Sequence, residues 1–219
     1  MDPDLEERCR VKKLYEWENA RRKESGLIAG VDEAGRGPMA GPIVASAVIL
    51  PSSPEISYID DSKKLSPKLR ERVFHSIIQT SLAVGIGIRS AKYIDEKGIS
   101  AATFSAMRTA INELVSQGFK PGLVAVDGYP IPQLEFAQEA VIKGDAKISS
   151  IACASIVAKV VRDRIMVEFD RLYPGYEFSI HKGYCTKLHM DRLYRKGPSP
   201  IHRRSFRPVR DVLPPFPSI

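Results

Sequence analysis

No stretch of this 219-residue sequence stays apolar for the 18 or more residues that a membrane-spanning helix needs, and Met1 to Glu7 is acidic with no apolar signal core. Neither a membrane span nor a secretory leader is expected, and the expected compartment is the cytoplasm. Cysteine is scarce as well. Cys9, Cys153 and Cys185 are odd in number, widely spaced and never in a CxxC pair, which excludes a disulfide framework and the common zinc-binding patterns. No internal repeat is present, which sets solenoids aside. Acid is nearly missing from residues 181–210, where nine Lys and Arg face Asp191 alone and leave a net charge of +8.

What remains is an ordinary globular composition, 43% hydrophobic and 27% charged, in a chain long enough to bury its own core. The overall charge of +7 is carried by that C-terminal segment, because residues 1–30 balance. A basic face of this kind is the electrostatic footprint of a polyanion-binding surface. Three regions are expected: an N-terminal helix packed on the domain (1–25), a catalytic core (26–175), and a basic helical region with an extended tail (176–219).

Residues 4–24 are charged, lack glycine and carry Leu5, Leu14 and Trp17, which reads as the N-terminal helix. Leu27–Val31 and Ile43–Leu50 are short β-branched runs separated by Gly and Pro, hence two strands joined by a turn region over Asp32–Pro42. Ser66-Pro67 is an N-cap followed by proline at the first helical position and opens a helix to Thr80. Leu82–Ile88 is a third strand. Ser90 caps a helix over 91–97, and Ser100 a longer one that Gly118 stops. Leu123–Asp127 and Ala140–Ile142 are the fourth and fifth strands. Helical spacing of Ile151, Ile156, Val160, Ile165 and Phe169 predicts a helix over 149–173, and a last helix covers Tyr184–Lys196. Beyond Gly197, Pro208, Pro214, Pro215 and Pro217 predict an extended tail.

Three acids share an uncommon setting: Asp32, Asp127 and Asp145 each fall at, or within three residues of, the end of an apolar strand. In an open α/β sheet, neighbouring strand ends deliver their next residues to a common crevice. If the first, fourth and fifth strands are neighbours, Asp32, Glu33, Asp127 and Asp145 converge there. Four carboxylates cannot ionise together without a cationic partner, and an all-oxygen set selects Mg²⁺ or Mn²⁺. Two such ions about 3.5–4 Å apart suit an in-line phosphodiester displacement. Strand alternation opposes a common role for Asp32 and Glu33 unless the strand ends at Asp32. Gly35-Arg36-Gly37 follows immediately, a turn whose backbone can approach a ligand closely and test a ribose 2′-hydroxyl. Alone, such a turn is a weak signal. His181, His189 and His202 are read as capping residues or phosphate contacts rather than metal ligands, and Cys153 as a small core residue.

The segments Ala29 to Pro38, Asp61 to Leu65, Val126-Asp127-Gly128, Lys143-Gly144-Asp145, Ala154 to Val160 with Arg162-Asp163, His181 to Tyr184 with Thr186 and His189, and Ile201 to Phe206 together resemble bacterial ribonuclease HII. They run in that family's order over residues 26–207. The resemblance implies an α/β, RNase H-like fold: a central five-stranded mixed sheet flanked by helices, with a C-terminal helical region. It implies that Asp32, Glu33, Asp127 and Asp145 are catalytic and hold the divalent metal. Gly35, Arg36 and Gly37 would read the 2′-hydroxyl, Tyr184 would pack on the sugar at the junction, and Lys63 and Lys64 would face phosphate. The implied partners are RNA–DNA hybrid duplexes and DNA duplexes containing ribonucleotides, acted on by a monomer with no membrane attachment. The implied reaction is hydrolysis on the 5′ side of the ribonucleotide, leaving 3′-OH and 5′-phosphate ends.

Overall fold

The computed structural model describes residues 3–52, 56–59, 62 and 65–212. Its centre is one five-stranded mixed sheet built from β1 (Ile28–Ala34), β2 (Ile43–Ile49), β3 (Ala83–Arg89), β4 (Leu123–Asp127) and β5 (Gln138–Val141), in the order β3-β2-β1-β4-β5. β1, β2 and β3 pair antiparallel, whereas β4 lies parallel to β1 and β5 parallel to β4. The first, fourth and fifth strands are therefore contiguous, as the carboxylate pattern requires. β2 is buried along its whole length, which is why it reads as a run of Ile, Val and Ala interrupted by one small residue, the buried Ser46.

Both sheet faces are covered. On one lies α4 (Ile99–Ser116), whose Ala102, Ala106, Met107, Ala110, Ile111 and Leu114 pack on Val31, Ile43, Ala45 and Val126. On the other lies α5 (Ser149–Leu172), which with α1 (Pro3–Ser25) and α2 (Pro67–Thr80) buries Leu14, Val48, Val73, Ile77, Cys153, Ile156 and Val157. Cys153 is thus a core residue. Gly30 sets how closely α5 can lie: a Cβ there would stand 2.2 Å from the Ser150 carbonyl carbon. Any side chain would push the start of α5 away from β1.

The caps Ser66 and Ser90 act as read, accepting from Leu69 N–H and Tyr93 N–H at the starts of α2 and α3 (Ala91–Lys97). Ser100 does not cap α4. Gly98 does, because its positive φ of 80° ends α3 and starts α4 in one residue. β5 begins two residues earlier than the apolar triplet suggested, since Gln138 and Glu139 pair with Val124 and Ala125. The last long helix, α7, starts at Lys187 instead of Tyr184, capped by Thr186, and is preceded by the short α6 (Phe178–His181). The tail after Gly197 is not wholly extended: Pro208 sits in the first turn of α8 (Arg207–Arg210), where a missing N–H costs nothing. Residues 213–219 lie outside the described ones.

α5 has no side-chain cap of its own. Glu18 of α1 supplies one across 131 residues: its buried carboxylate accepts from Ser149 Oγ and Ser150 N–H at 2.6 Å and pairs with Arg22 at 3.1 Å. An anion on the first turn satisfies orphan donors and complements the helix dipole. Glu18→Ala is expected to cost about 3 kcal/mol, because it strands buried donors and the Arg22 charge together. Urea titration of the two proteins would check it, and a loss below a few tenths of a kcal/mol would contradict the cap.

Candidate active site

β4 stops at Asp127, after which Gly128 turns away with a φ of 77°, while β1 continues to Ala34 with β2 as its only paired strand among the described residues. The strand read as Leu27–Val31 therefore runs on through Asp32 and Glu33 into the expected turn region, and the condition that it end at Asp32 is not met. Asp32 and Glu33 are both strand residues, paired with Ser46 and Ala45, and point to opposite faces. They nevertheless reach one cleft, since the open edge of β1 beyond the end of β4 can be approached from both sides. Asp32, Glu33, Ala34, Gly35, Arg36, Gly37, Ser62, Asp127, Asp145, Ser155, Lys159 and Tyr184 line this space of about 330 Å³.

The acids are held differently. Asp32 is 6% exposed and its Oδ1 accepts from the Glu33 N–H at 2.7 Å. Asp127 Oδ1 accepts from Gly144 N–H at 2.7 Å, which ties the end of β4 to the 3₁₀ turn Gly144–Ala146 that carries Asp145. Lys143, at φ 56°, makes the bend that directs the chain back toward Asp127. Burial, and then the neighbouring Glu33 and Asp127, hold the Asp32 carboxyl well above its ordinary range, against the hydrogen bonds from Glu33 N–H and Ser155. Glu33 is raised as well, chiefly by burial, although Arg36 at 3.6 Å opposes the shift. A group of carboxylates whose charged forms are disfavoured by burial and by one another has the chemistry of a hard-cation site, all oxygen and anionic. As they stand, the side chains are not drawn into a single shell: among the described residues no three His, Cys, Asp or Glu are grouped tightly enough to hold one ion.

The opposite wall is Tyr184, 41% exposed, with Lys159 Nζ 5.6 Å and Arg162 Cζ 5.8 Å from its ring centroid. Behind it stand His181, His189 and His202, all buried. Their hydrogen bonds define one tautomer each. Ser199 N–H donates to His202 Nδ1 at 3.0 Å, so the His202 proton is on Nε2 and is given to His189 Nε2 at 3.0 Å. His189 Nδ1–H then donates to the Tyr184 carbonyl at 2.9 Å. Similarly, Gly183 N–H donates to His181 Nδ1, and His181 Nε2–H to the Tyr176 carbonyl. The His181 and His189 rings stack at 4.0 Å over Phe178. Phosphate contact is therefore excluded for this trio, because four of the six ring nitrogens bond backbone and the other two bond each other, all in buried rings.

Sequence reading missed Ser62, Ser155 and Lys159 as cleft residues. Ser155 Oγ and Ser62 Oγ share a hydrogen bond at 3.1 Å, and Lys159 pairs with Asp163 at 2.8 Å. The available signal was spacing: Ser155 and Lys159 are i,i+4 on α5 and so share a face. The expected phosphate contacts Lys63 and Lys64 lie outside the described residues.

Among the described residues no helix is long and apolar enough to cross a membrane. A family model described as Ribonuclease HII matches residues 29–209. The ribonuclease HII of Caldicellulosiruptor bescii is 53% identical over 187 residues, covering 85% of this chain and 88% of that one. That of Geobacter sulfurreducens is 51% identical over 195 residues, covering 89% and 88%. Among solved structures, ribonuclease H2 from Pyrococcus horikoshii OT3 superposes with a TM-score of 0.64 at 27% identity over 85% of this chain and 96% of that one. Bst-RNase HIII, solved in complex with Mn²⁺, gives a TM-score of 0.70 at 17% identity over 89% and 71%, a likeness of fold. With the match running from the start of β1 to the last short helix, the chain belongs to the ribonuclease HII family and is a ribonuclease H.

Proposed function

We propose that this ribonuclease H cuts RNA–DNA hybrids, and duplex DNA at single embedded ribonucleotides, on the 5′ side of the ribonucleotide, leaving 3′-OH and 5′-phosphate ends. One observation carries the reading: four carboxylates, two from β1, one from the end of β4 and one from the 3₁₀ turn after β5, share a cleft with a glycine-flanked arginine turn and a half-exposed tyrosine, so metal-binding chemistry and a ribose-testing surface adjoin. Asp32, Glu33, Asp127 and Asp145 would hold the divalent ions, Mg²⁺ or Mn²⁺. The chemistry such a pair supplies when bound is activation of a water and neutralisation of the leaving oxygen. The raised Asp32 and Glu33 carboxyls fit that role, because a bound cation relieves the repulsion between them.

The other residues position the duplex. Backbone groups of Gly35, Arg36 and Gly37 meet the 2′-hydroxyl, which is both donor and acceptor. The Tyr184 ring, fixed through its carbonyl by His189, offers a flat amphipathic face to the adjacent sugar. Basic residues of 181–210 at the surface, such as Arg195 and Arg207, neutralise backbone phosphate. Binding should then weaken steeply with salt. The test is an end-labelled duplex with one ribonucleotide, incubated with Mg²⁺ or Mn²⁺ beside an all-DNA control. A single cut 5′ of the ribonucleotide is expected. Cutting on its 3′ side, or equal cutting of the control, would overturn the reading.

A further inference from the structure

Arg203 belongs to the basic segment, yet it is 0% exposed and, among the described residues, has no carboxylate partner. Its guanidinium is spent wholly on backbone carbonyls: Nε–H donates to Gly41 at 3.0 Å, Nη1–H to Arg36 at 3.0 Å, and Nη2–H to Gly35 at 2.6 Å and Pro42 at 3.2 Å. The residue itself is anchored from two sides. Arg203 N–H donates to the Met39 carbonyl at 2.9 Å, and the next two N–H groups, of Arg204 and Ser205, donate to the Asp95 carboxylate at 2.9 Å each.

The consequence follows from peptide geometry. No peptide among the described residues is cis, and across a planar trans peptide the C=O of one residue and the N–H of the next point in opposite directions. With the Gly35 and Arg36 carbonyls turned inward onto Arg203, the N–H groups of Arg36 and Gly37 are turned outward. Both residues line the cleft, and no described residue accepts a hydrogen bond from either N–H. A Cβ on Gly37 would meet nothing within 4 Å, so packing within the chain does not require glycine there. The space it leaves is open to a ligand.

We propose that Arg203 is a positioning residue for substrate selection, fixing the Arg36 and Gly37 N–H groups as a pair of outward donors for the ribose oxygen or flanking phosphate at the scissile junction. It rests on the function proposed above and adds to it the device that keeps the turn in its reading conformation. Fixed donors aimed at an anion need no reorganisation when substrate arrives.

The test compares wild type, Arg203→Lys and Asp95→Ala on duplexes with one ribonucleotide and with none, recording KM, kcat and the rise in melting temperature produced by Mn²⁺ alone. A lysine cannot span four carbonyls with a planar fork. Arg203→Lys should therefore raise KM about tenfold or more and narrow the preference for the ribonucleotide-containing duplex, with the Mn²⁺-induced shift kept. Asp95→Ala, remote from the cleft, should move KM in the same direction by less, and it decides the matter if Arg203→Lys does not fold. Added guanidinium at sub-denaturing concentration should restore part of the lost affinity to Arg203→Ala. Unchanged KM and selectivity in the folded variants would overturn the proposal, as would loss of the Mn²⁺ shift in step with activity, which is the mark of a merely structural residue. If wild type itself shows no preference for the ribonucleotide, the functional reading fails first, and independently of Arg203.

Discussion

Asp32→Asn lowers cleavage of the ribonucleotide-containing duplex on the order of 10³-fold and, without divalent cation, makes the protein more stable. The two effects have one origin. Asp32 is buried beside Glu33 and Asp127, and its carboxyl is held well above the ordinary range. Burial and those neighbours therefore oppose the charged form of Asp32 in the fold. Asparagine keeps the shape and the oxygen that accepts from Glu33 N–H, but it removes the charge. A gain of about 1 to 2 kcal/mol is expected without metal. Saturating Mg²⁺ or Mn²⁺ should reverse the order, since a cation at 100 times its dissociation constant stabilises wild type by about 2.7 kcal/mol and the variant by much less. Thermal melts with and without cation, run beside the cleavage assay, check both halves. A variant that cleaves at the wild-type rate, or that is less stable without metal, would refute the account.

The second large effect is acid lability from the histidine group behind Tyr184. Burial pushes His189 down to about 3 and His202 down to about 4, with His181 also lowered. Unfolded histidine titrates near 6.5. Between those values the unfolded chain binds protons that the native state refuses, so the stability from these groups is complete above about pH 6.5 and is lost as pH falls toward 4. Two protons give a slope of up to about 2.7 kcal/mol per pH unit. Asp170, Glu177 and Lys182 act on His181, while Asp32 and Glu33 contribute the opposite sign, because a raised carboxyl favours the native state as pH falls. Urea midpoints at pH 5, 6, 7 and 8 should drop steeply below 6.5, and His202→Gln should flatten that drop. A level profile from pH 5 to 7 would remove the histidines from the account.

These two features differ in how far the sequence foretells them. Asp127 at the end of its strand, Ser66-Pro67 and the Ser90 cap are local signals, and the structure places them as read, because one strand end or one helical turn suffices to define each. Gly98 displaces Ser100 as a cap since two helices meet there, which propensity alone does not register. The continuation of β1 through Glu33 to Ala34 depends on β2 alone after β4 stops, a matter of pairing between distant strands. Glu18 on α5, Arg203 on Gly35 and the His202–His189 bond join residues 131, 168 and 13 positions apart. Nothing in composition marks an arginine as buried, and Arg203 stands among eight other basic residues in its segment. Three histidines spaced over 181–202 have no helical or strand period to betray a common packing site. The carboxylates were legible by type and place, the scaffolding behind them was not.

α5 carries a further consequence. Ser155, Lys159 and Arg162 are presented from successive turns of that one uninterrupted helix, the first beside the acids and the last beneath the Gly35 turn and Tyr184. At 1.5 Å per residue the span from Ser155 to Arg162 is about 10 Å, and it is set by helical pitch, not by a hinge. The helix is a gauge block. The two walls of the cleft are thus tied to one rigid element, and helical pitch sets the separation between them.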